Sequence, residues 1–147
     1  VVTTSGAVSG QGLPFRLDGV ELGTVSGDIH FSTASSAGLK ANTTSGDIDL
    51  GGIDSTVRAA TTSGRVTLEF SAFAEASVTT VSGDVKAVIP DGDAFAVEFG
   101  SVSGDYHSTH PGLGESRGEG GFQGATKGGT ALLRVRTTSG DLDIFGK

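Results

Sequence analysis

The eight residues "TTSGDIDL", positions 43 to 50, contain the turn that decides the fold. Related segments are "TVSGDIHF" from Thr24, "TTSGRVTLEF" from Thr61, "TVSGDVKAVI" from Thr80, "SVSGDYHS" from Ser101 and "TTSGDLDIF" from Thr137. The glycines of seven such turns are Gly6, Gly27, Gly46, Gly64, Gly83, Gly104 and Gly140, at intervals of 21, 19, 18, 19, 21 and 36 residues. This period predicts a solenoid, in which each coil buries its apolar side against its neighbours.

Apolar and polar residues alternate on both flanks of each turn. The positions two and four after the glycine, and five and seven before it, are mostly aliphatic, as in Leu39, Ala41, Ile48 and Leu50. Period-two alternation is typical of strands with one buried face. The sequence therefore predicts an all-β single domain over residues 1–147. It would be a β-solenoid of about seven to eight coils with 18–21 residues each and no α-helix.

The turn residues have structural explanations. Glycine tolerates the positive φ that the corner is expected to need, and serine or aspartate beside it can bond nearby backbone groups. The position three before each glycine points inward by parity, and its hydroxyl is expected to bond another threonine or a corner carbonyl. This inward column comprises Thr3, Thr24, Thr43, Thr61, Thr80, Ser101 and Thr137.

Composition excludes several classes of function. The formal net charge of −7 disfavours nucleic acid and anionic lipid surfaces as partners. The absence of cysteine excludes disulfides, a thiolate nucleophile and a cysteine zinc site. No apolar run is long enough to insert into a membrane, and no segment resembles a signal peptide. Because the chain begins at Val1 rather than Met, a removed leader or an excised domain is expected.

Residues 108–130, "STHPGLGESRGEGGFQGATKGGT", interrupt the repeat. Their glycines predict either a flexible surface loop or a degenerate coil around Phe122. A long loop on a rigid scaffold is a candidate binding site, and it is also a place where insertions are tolerated.

The position after each glycine forms a second candidate column. Asp28, Asp47, Asp84 and Asp105 would stack there, at about one strand spacing from coil to coil. Carboxylates at that spacing are a low-probability cation site, for which calcium is the candidate ion. The favoured interpretation is that each aspartate holds its own turn while Arg65 relieves repulsion between Asp47 and Asp84. No metal site and no cofactor are predicted.

Candidate catalytic groups are sparse. The segment "DYHSTH" brings together Asp105, His107 and His110, but two surface histidines without a metal are the favoured interpretation. The seven Ser-Gly turns share one setting, which indicates architecture rather than one activated serine. Glycan cleavage would need facing carboxylates in an aromatic groove, and only nine residues are aromatic. Ice binding is disfavoured because the outward column mixes threonine with valine and coil lengths differ. No catalytic residue is predicted.

The T-x-S-G-D repeats resemble a bacterial family of adhesin-type β-solenoid domains, best at residues 24–50, 80–86 and 130–145. There "GGTALLRVRTTSGDLDI" looks like the family's closing coil. The resemblance implies an extracellular or cell-surface protein of a bacterial-type envelope, with no catalytic residues to carry over. Arg65, Ala7 and Tyr106 depart from the family pattern.

The sequence shows no cap at either end of the predicted stack. Either the ends were trimmed from a larger protein, or they meet the opposite ends of neighbouring copies, because uncapped strand edges recruit other strands. The second explanation is the leading hypothesis and predicts head-to-tail stacking. The predicted function is a non-enzymatic, adhesin-like structural protein that forms an extracellular fibre. The alternative is a monomeric module that binds a surface carbohydrate or protein through the solenoid flank or the 108–130 loop.

Overall fold

The computed structural model describes residues 2–11, 19–32, 38–111, 116–126 and 131–146. Within these ranges the chain forms fourteen strands and no helix. The strands are β1 (Val2–Ser5), β2 (Val8–Gln11), β3 (Val20–Ser26), β4 (Ile29–Ser32), β5 (Leu39–Ser45), β6 (Ile48–Ile53), β7 (Val57–Ser63), β8 (Val66–Phe70), β9 (Ala76–Ser82), β10 (Val85–Ile89), β11 (Phe95–Ser108), β12 (Ser116–Ala125), β13 (Ala131–Ser139) and β14 (Leu142–Gly146).

Each coil consists of one strand before a Ser-Gly corner and one strand after it. The first five coils are β1 with β2, β3 with β4, β5 with β6, β7 with β8, and β9 with β10. Their equivalent residues pair in parallel register, so Ile29 lies beside Ile48 and Ile48 beside Val66. The predicted all-β solenoid is therefore confirmed, with its repeats stacked in columns.

The last two corner-containing segments stack in reverse of their sequence order. Strand β13 pairs with β9 on one side and with β11 on the other, and β14 lies between β10 and β11 in the same way. The C-terminal coil (β13 with β14) is thus inserted between the fifth coil and the 95–108 coil, which the single long strand β11 forms. The interpretation of residues 130–145 as a closing coil is wrong, because this coil is an interior layer.

Residues 116–125 of the glycine-rich segment form strand β12. Strand β12 runs antiparallel to β11, with Gly100 opposite Gly121 and Asp105 opposite Glu119. It is therefore neither a loop nor a degenerate coil of the solenoid, whose other neighbouring strands are parallel. The remaining parts of the predicted 108–130 loop, residues 112–115 and 127–130, and the side chain of Phe122 lie outside the described residues. The termini Val1 and Lys147 also lie outside them.

The core is the interior between the two arms of the coils. The inward positions predicted from alternation are buried, including Leu39, Ala41, Ile48 and Leu50, and Val20 is partly buried. A fully buried isoleucine or leucine contributes about 2 kcal/mol relative to an exposed one. Stacked aliphatic columns therefore stabilise the coils along the whole axis. At the end of the coil away from the corner, the ring of Phe73 contacts those of Phe70 and Phe95, with centroids 5.0 and 5.3 Å away.

Candidate functional sites: corner columns, solenoid ends and charged flank

The corner glycines form a close backbone stack. A Cβ atom added to Gly46 would overlap the carbonyl oxygen of Gly27, and the same overlap recurs up the stack, as at Gly83 with Gly64 and at Gly104 with Gly140. Gly46 also has φ 150°. Glycine is therefore needed at the corner chiefly because the coils approach each other too closely for a side chain. Gly6 differs, since no atom lies within 4 Å of its hypothetical Cβ, although its φ is 113°.

The aspartate column is a ladder of hydrogen bonds between coils. The carboxylate of Asp28 accepts the backbone N–H of Asp47 at 3.0 Å, and Asp47 accepts that of Arg65 at 2.8 Å. After Arg65 the ladder resumes, since Asp84 accepts the N–H of Asp141 at 3.2 Å and Asp141 accepts that of Asp105 at 2.9 Å. Four aspartates thus join their own turn to the turn of a neighbouring coil, whereas the interpretation from the sequence had each aspartate hold only its own turn.

The residues of this ladder are also the low-probability cation column. In spatial order its members are Asp28, Asp47, Arg65, Asp84, Asp141 and Asp105, because the C-terminal coil is inserted. The acceptor oxygens of four of them are directed at backbone N–H groups. Among the residues that the structure describes, no group of three or more histidine, aspartate or glutamate side chains could hold a metal ion.

The threonine column lies inside the corner. Thr24, Thr43, Thr61, Thr80 and Thr137 are buried, and their hydroxyls, together with that of Ser101, have no hydrogen-bond partner among the described residues. The prediction that these hydroxyls bond one another or corner carbonyls is therefore wrong for the inner coils. In these coils the corner serine carbonyl accepts the glycine N–H of the preceding coil instead, as Ser45 does from Gly27.

Thr3, in the first coil, differs from the threonines of the inner coils. Its hydroxyl donates to the carbonyl of Ser5 at 3.1 Å. No described coil precedes the first one, so no glycine N–H reaches Ser5. Within the described residues, the corner carbonyl of the first coil therefore accepts a side-chain hydroxyl and no glycine N–H.

The first-coil edge, defined here as β1, Gly6, Ala7 and β2, is the place where the sheet ends. Strand β1 pairs only with β3 and strand β2 only with β4 within the described part of the chain. The N–H groups of Gly6 and Val8 donate to the second coil. Because alternate residues of a strand direct their backbone groups to opposite sides, Ala7 and Ser9 direct theirs away from the solenoid. This edge contains no charged residue.

The opposite end is covered. Strand β12 lies along both arms of the 95–108 coil and skips only its corner, between Gly100 and Asp105. Buried Thr126 fixes the end of β12, because its hydroxyl accepts the N–H of Phe95 at 2.7 Å and donates to the carbonyl of Phe95 at 3.2 Å. The prediction that both ends are bare is wrong for this end.

The three candidates of "DYHSTH" are not brought together as one site. His107 lies on the outer face and pairs with Asp143 at 3.6 Å. His110 is fully buried, its Nε2 lies 3.2 Å from the carbonyl oxygen of Pro90, and its ring stands edge-on to Phe95. The interpretation of His110 as a surface histidine is wrong. The signal was present in the sequence, since Tyr106, Ser108 and His110 continue the inward parity of β11.

A groove on the outer face of β5, β7, β9 and β13 was not predicted. It encloses about 360 Å³ and is lined by Lys40, Arg58 and Arg134, by the acidic Glu75, and by small or polar residues including Asn42, Ser77 and Thr79. Lys40 pairs with Glu21 at 3.6 Å and Arg134 with Glu98 at 3.5 Å. Arg58 has no ion pair among the described residues. The alternation in the sequence predicts that these side chains lie on the outer face. It does not predict the groove, because the groove depends on which coils lie side by side.

Repeated corners, aliphatic columns and two coil arms define this protein as a parallel β-solenoid repeat protein. The family model described as Toastrack DUF4097 matches residues 1–145. The chain therefore belongs to the Toastrack DUF4097 family. No curated protein and no solved structure gives a match. In the described residues, no helix has the length and apolar character required to span a membrane.

Proposed function

We propose that this chain is a non-enzymatic, adhesin-like structural protein of a bacterial-type cell surface whose solenoids associate end to end into a fibre. The observation that carries the proposal is the first-coil edge, where two uncharged strands have pairing partners on one side only. Natural proteins protect such edges with charge, proline or a covering element. The described part of the first coil has none of these, so strand addition at this edge is favourable.

A non-enzymatic role is supported by how the polar groups are used. Four corner aspartates accept backbone N–H groups, and the glycine N–H of five corners donates to the serine carbonyl of the neighbouring coil. The surface location rests on the resemblance of the T-x-S-G-D repeats to adhesin-type domains.

The test is the assembly state over a range of protein concentrations, followed by sedimentation and electron microscopy. We expect rods that lengthen along the solenoid axis as concentration rises. A continuous fibre also requires a junction at the outer edge of β12. Particles that stay monomeric at high concentration would contradict the proposal.

A second candidate, a module that binds an acidic polysaccharide, is favoured by the groove at Arg58. Parallel register places Arg58 and Arg134 on either side of Ser77, roughly 10 Å apart. Basic side chains at this spacing suit a polymer with regularly placed carboxylates, and charge complementarity gives such binding its specificity. None of the residues lining the groove is aromatic, so neutral sugars have no ring to stack on.

This candidate is tested with a polyuronate and a neutral glucan of similar length. We expect the polyuronate to bind, and Arg58→Glu to abolish binding. Arg65→Glu is the matched control, because Arg65 is exposed and lies at the corner, outside the groove. Equal loss in both variants, or equal binding of the glucan, would contradict a specific groove.

A further inference from the structure

We propose that two copies of the chain join through their first coils on a two-fold axis, so that first-coil edge meets first-coil edge. This inference rests on the proposed end-to-end association. It differs in orientation, because the two copies meet through the same end and not through opposite ends. The sequence predicts head-to-tail stacking because neither end shows a cap. Among the described residues, the first coil has no strand on its outer side, whereas β12 covers the opposite end.

The geometry of the first coil suits a two-fold junction. Strand β1 runs toward the corner and strand β2 runs away from it, and each has four residues. A rotation of 180° about an axis through the corner, perpendicular to the solenoid, lays β1 of one copy beside β2 of the other in antiparallel sense. Both open edges are then paired in one contact, which is the self-complementary pattern of an isologous interface.

The backbone groups for this pairing are available. The N–H groups of Gly6 and Val8 are used within the chain, while those of Ala7 and Ser9 are directed outward. With Ala7 on the axis, Ser5 of one copy lies opposite Ser9 of the other. These outward groups supply the hydrogen bonds that an antiparallel pair exchanges.

The side chains at the axis also suit a second copy. Aspartate follows the corner glycine in five coils and Arg65 does so in one, whereas the first coil has Ala7. Two copies meeting here therefore bring two methyl groups together rather than two carboxylates. The space above Gly6 is open, so a second corner meets no side chain there. In a chain of net charge −7, the described residues of this edge carry no charge, so two copies approach there without repulsion between facing side chains.

By contrast, β12 has the charged, glycine-rich sequence "SRGEGGFQGA", with Arg117 and Glu119 in its first half. Charge and glycine weaken edge pairing. The first junction to form is therefore the one between first coils. A longer fibre would alternate this junction with one between two β12 edges.

Single-cysteine cross-linking of the full chain tests the junction, because the chain has no cysteine of its own. Residues directly opposite in an antiparallel pair have Cα atoms about 4.5–5.5 Å apart, within the range that a disulfide spans. We expect Ala7→Cys to give a disulfide-linked dimer on mild oxidation. Val102→Cys, at an 82% exposed position on the far coil, is the control and should stay uncross-linked.

Ala7→Asp provides a second variant that keeps the fold. It restores the residue that other coils carry, and its carboxylate can accept the N–H of Asp28 as the rest of the ladder does. We expect thermal stability to be maintained or raised while the dimer dissociation constant rises by about tenfold or more through like-charge repulsion.

The outcomes separate this inference from the proposed function. Fibres in which Ala7→Cys gives no cross-link would overturn the two-fold junction and leave end-to-end assembly standing. Equal cross-linking of the two single variants indicates random collision and also overturns the junction. Protein that sediments only as a monomer overturns both.

Discussion

The carboxylate of Asp47 accepts a 2.8 Å hydrogen bond from the backbone N–H of Arg65, the equivalent residue of the next coil. An aspartate beside a turn glycine commonly stabilises its own turn. In this protein it joins two turns that are 18 residues apart in the sequence. The corner is therefore stabilised by contacts between coils. Their contribution to the free energy of unfolding can be measured with substitutions that leave the turn itself intact.

Asp47→Ala should lower the free energy of unfolding by about 1–2 kcal/mol, because the N–H of Arg65 loses a charged acceptor at a solvent-exposed site. Chemical denaturation of both variants measures the effect. Arg65→Ala is the control, since it keeps the N–H that Asp47 binds and removes only an exposed side chain. A cost in the control as large as in Asp47→Ala would show that the ladder bond has no special role.

Arg65→Asn should stabilise the protein by about 0.5–1 kcal/mol, because an amide oxygen at this position can accept the N–H of Asp84 and close the gap in the ladder. Asparagine adds no charge between Asp47 and Asp84, so repulsion does not obscure the result. Equilibrium unfolding in urea is the measurement. Destabilisation by Arg65→Asn would mean that the arginine charge matters more than the missing bond.

Gly83→Ala should destabilise the protein by more than about 3 kcal/mol, since its Cβ would overlap the carbonyl oxygen of Gly64 and the backbone cannot move away. Gly6→Ala is the comparison, because its Cβ meets no atom and only its positive φ opposes alanine. A residue with a side chain in that conformation costs about 1–3 kcal/mol. Melting temperatures of the two variants are compared, and equal losses would rule out close approach as the cause.

Thr61→Val should raise the free energy of unfolding by about 1 kcal/mol, because the buried hydroxyl has no partner and valine keeps the shape. Thr62→Val, at the neighbouring exposed position, controls for β-propensity. Thr3→Val should instead destabilise, since Thr3 donates to Ser5. A loss of stability in Thr61→Val would mean that this hydroxyl makes a bond in solution.

Thr126→Val should loosen β12 without unfolding the coils. The hydroxyl of Thr126 both donates to and accepts from the backbone of Phe95, and its loss leaves a buried N–H unpaired at a cost of about 1–3 kcal/mol. Hydrogen exchange of residues 116–125 should become faster, while exchange at Ile48 and Val66 stays slow. Thr126→Ser, which keeps the hydroxyl, should preserve the protection of β12.

The alternation around each corner predicted the core, because the direction of a side chain depends only on whether its position in the strand is odd or even. Ile48 and Leu50 point inward whichever coils lie on either side of them. The order of the coils could not be predicted in this way, since every corner presents the same columns and any two coils can pair in register. The place of Leu142 between Val85 and Tyr106 depends on long-range pairing alone. The groove at Arg58 and Arg134 was missed for the same reason.

The inserted position of β13 and β14 also constrains how the chain can acquire its structure. Synthesis proceeds from the N-terminus, so residues 95–108 leave the ribosome before residues 131–146 do. Yet β11 has its parallel partners only in β13 and β14, and the fifth coil stays uncovered on that side until they arrive. Growth by simple addition at one end therefore stops at Ile89, and residues 131–146, which are made later, must enter between the fifth coil and the 95–108 coil.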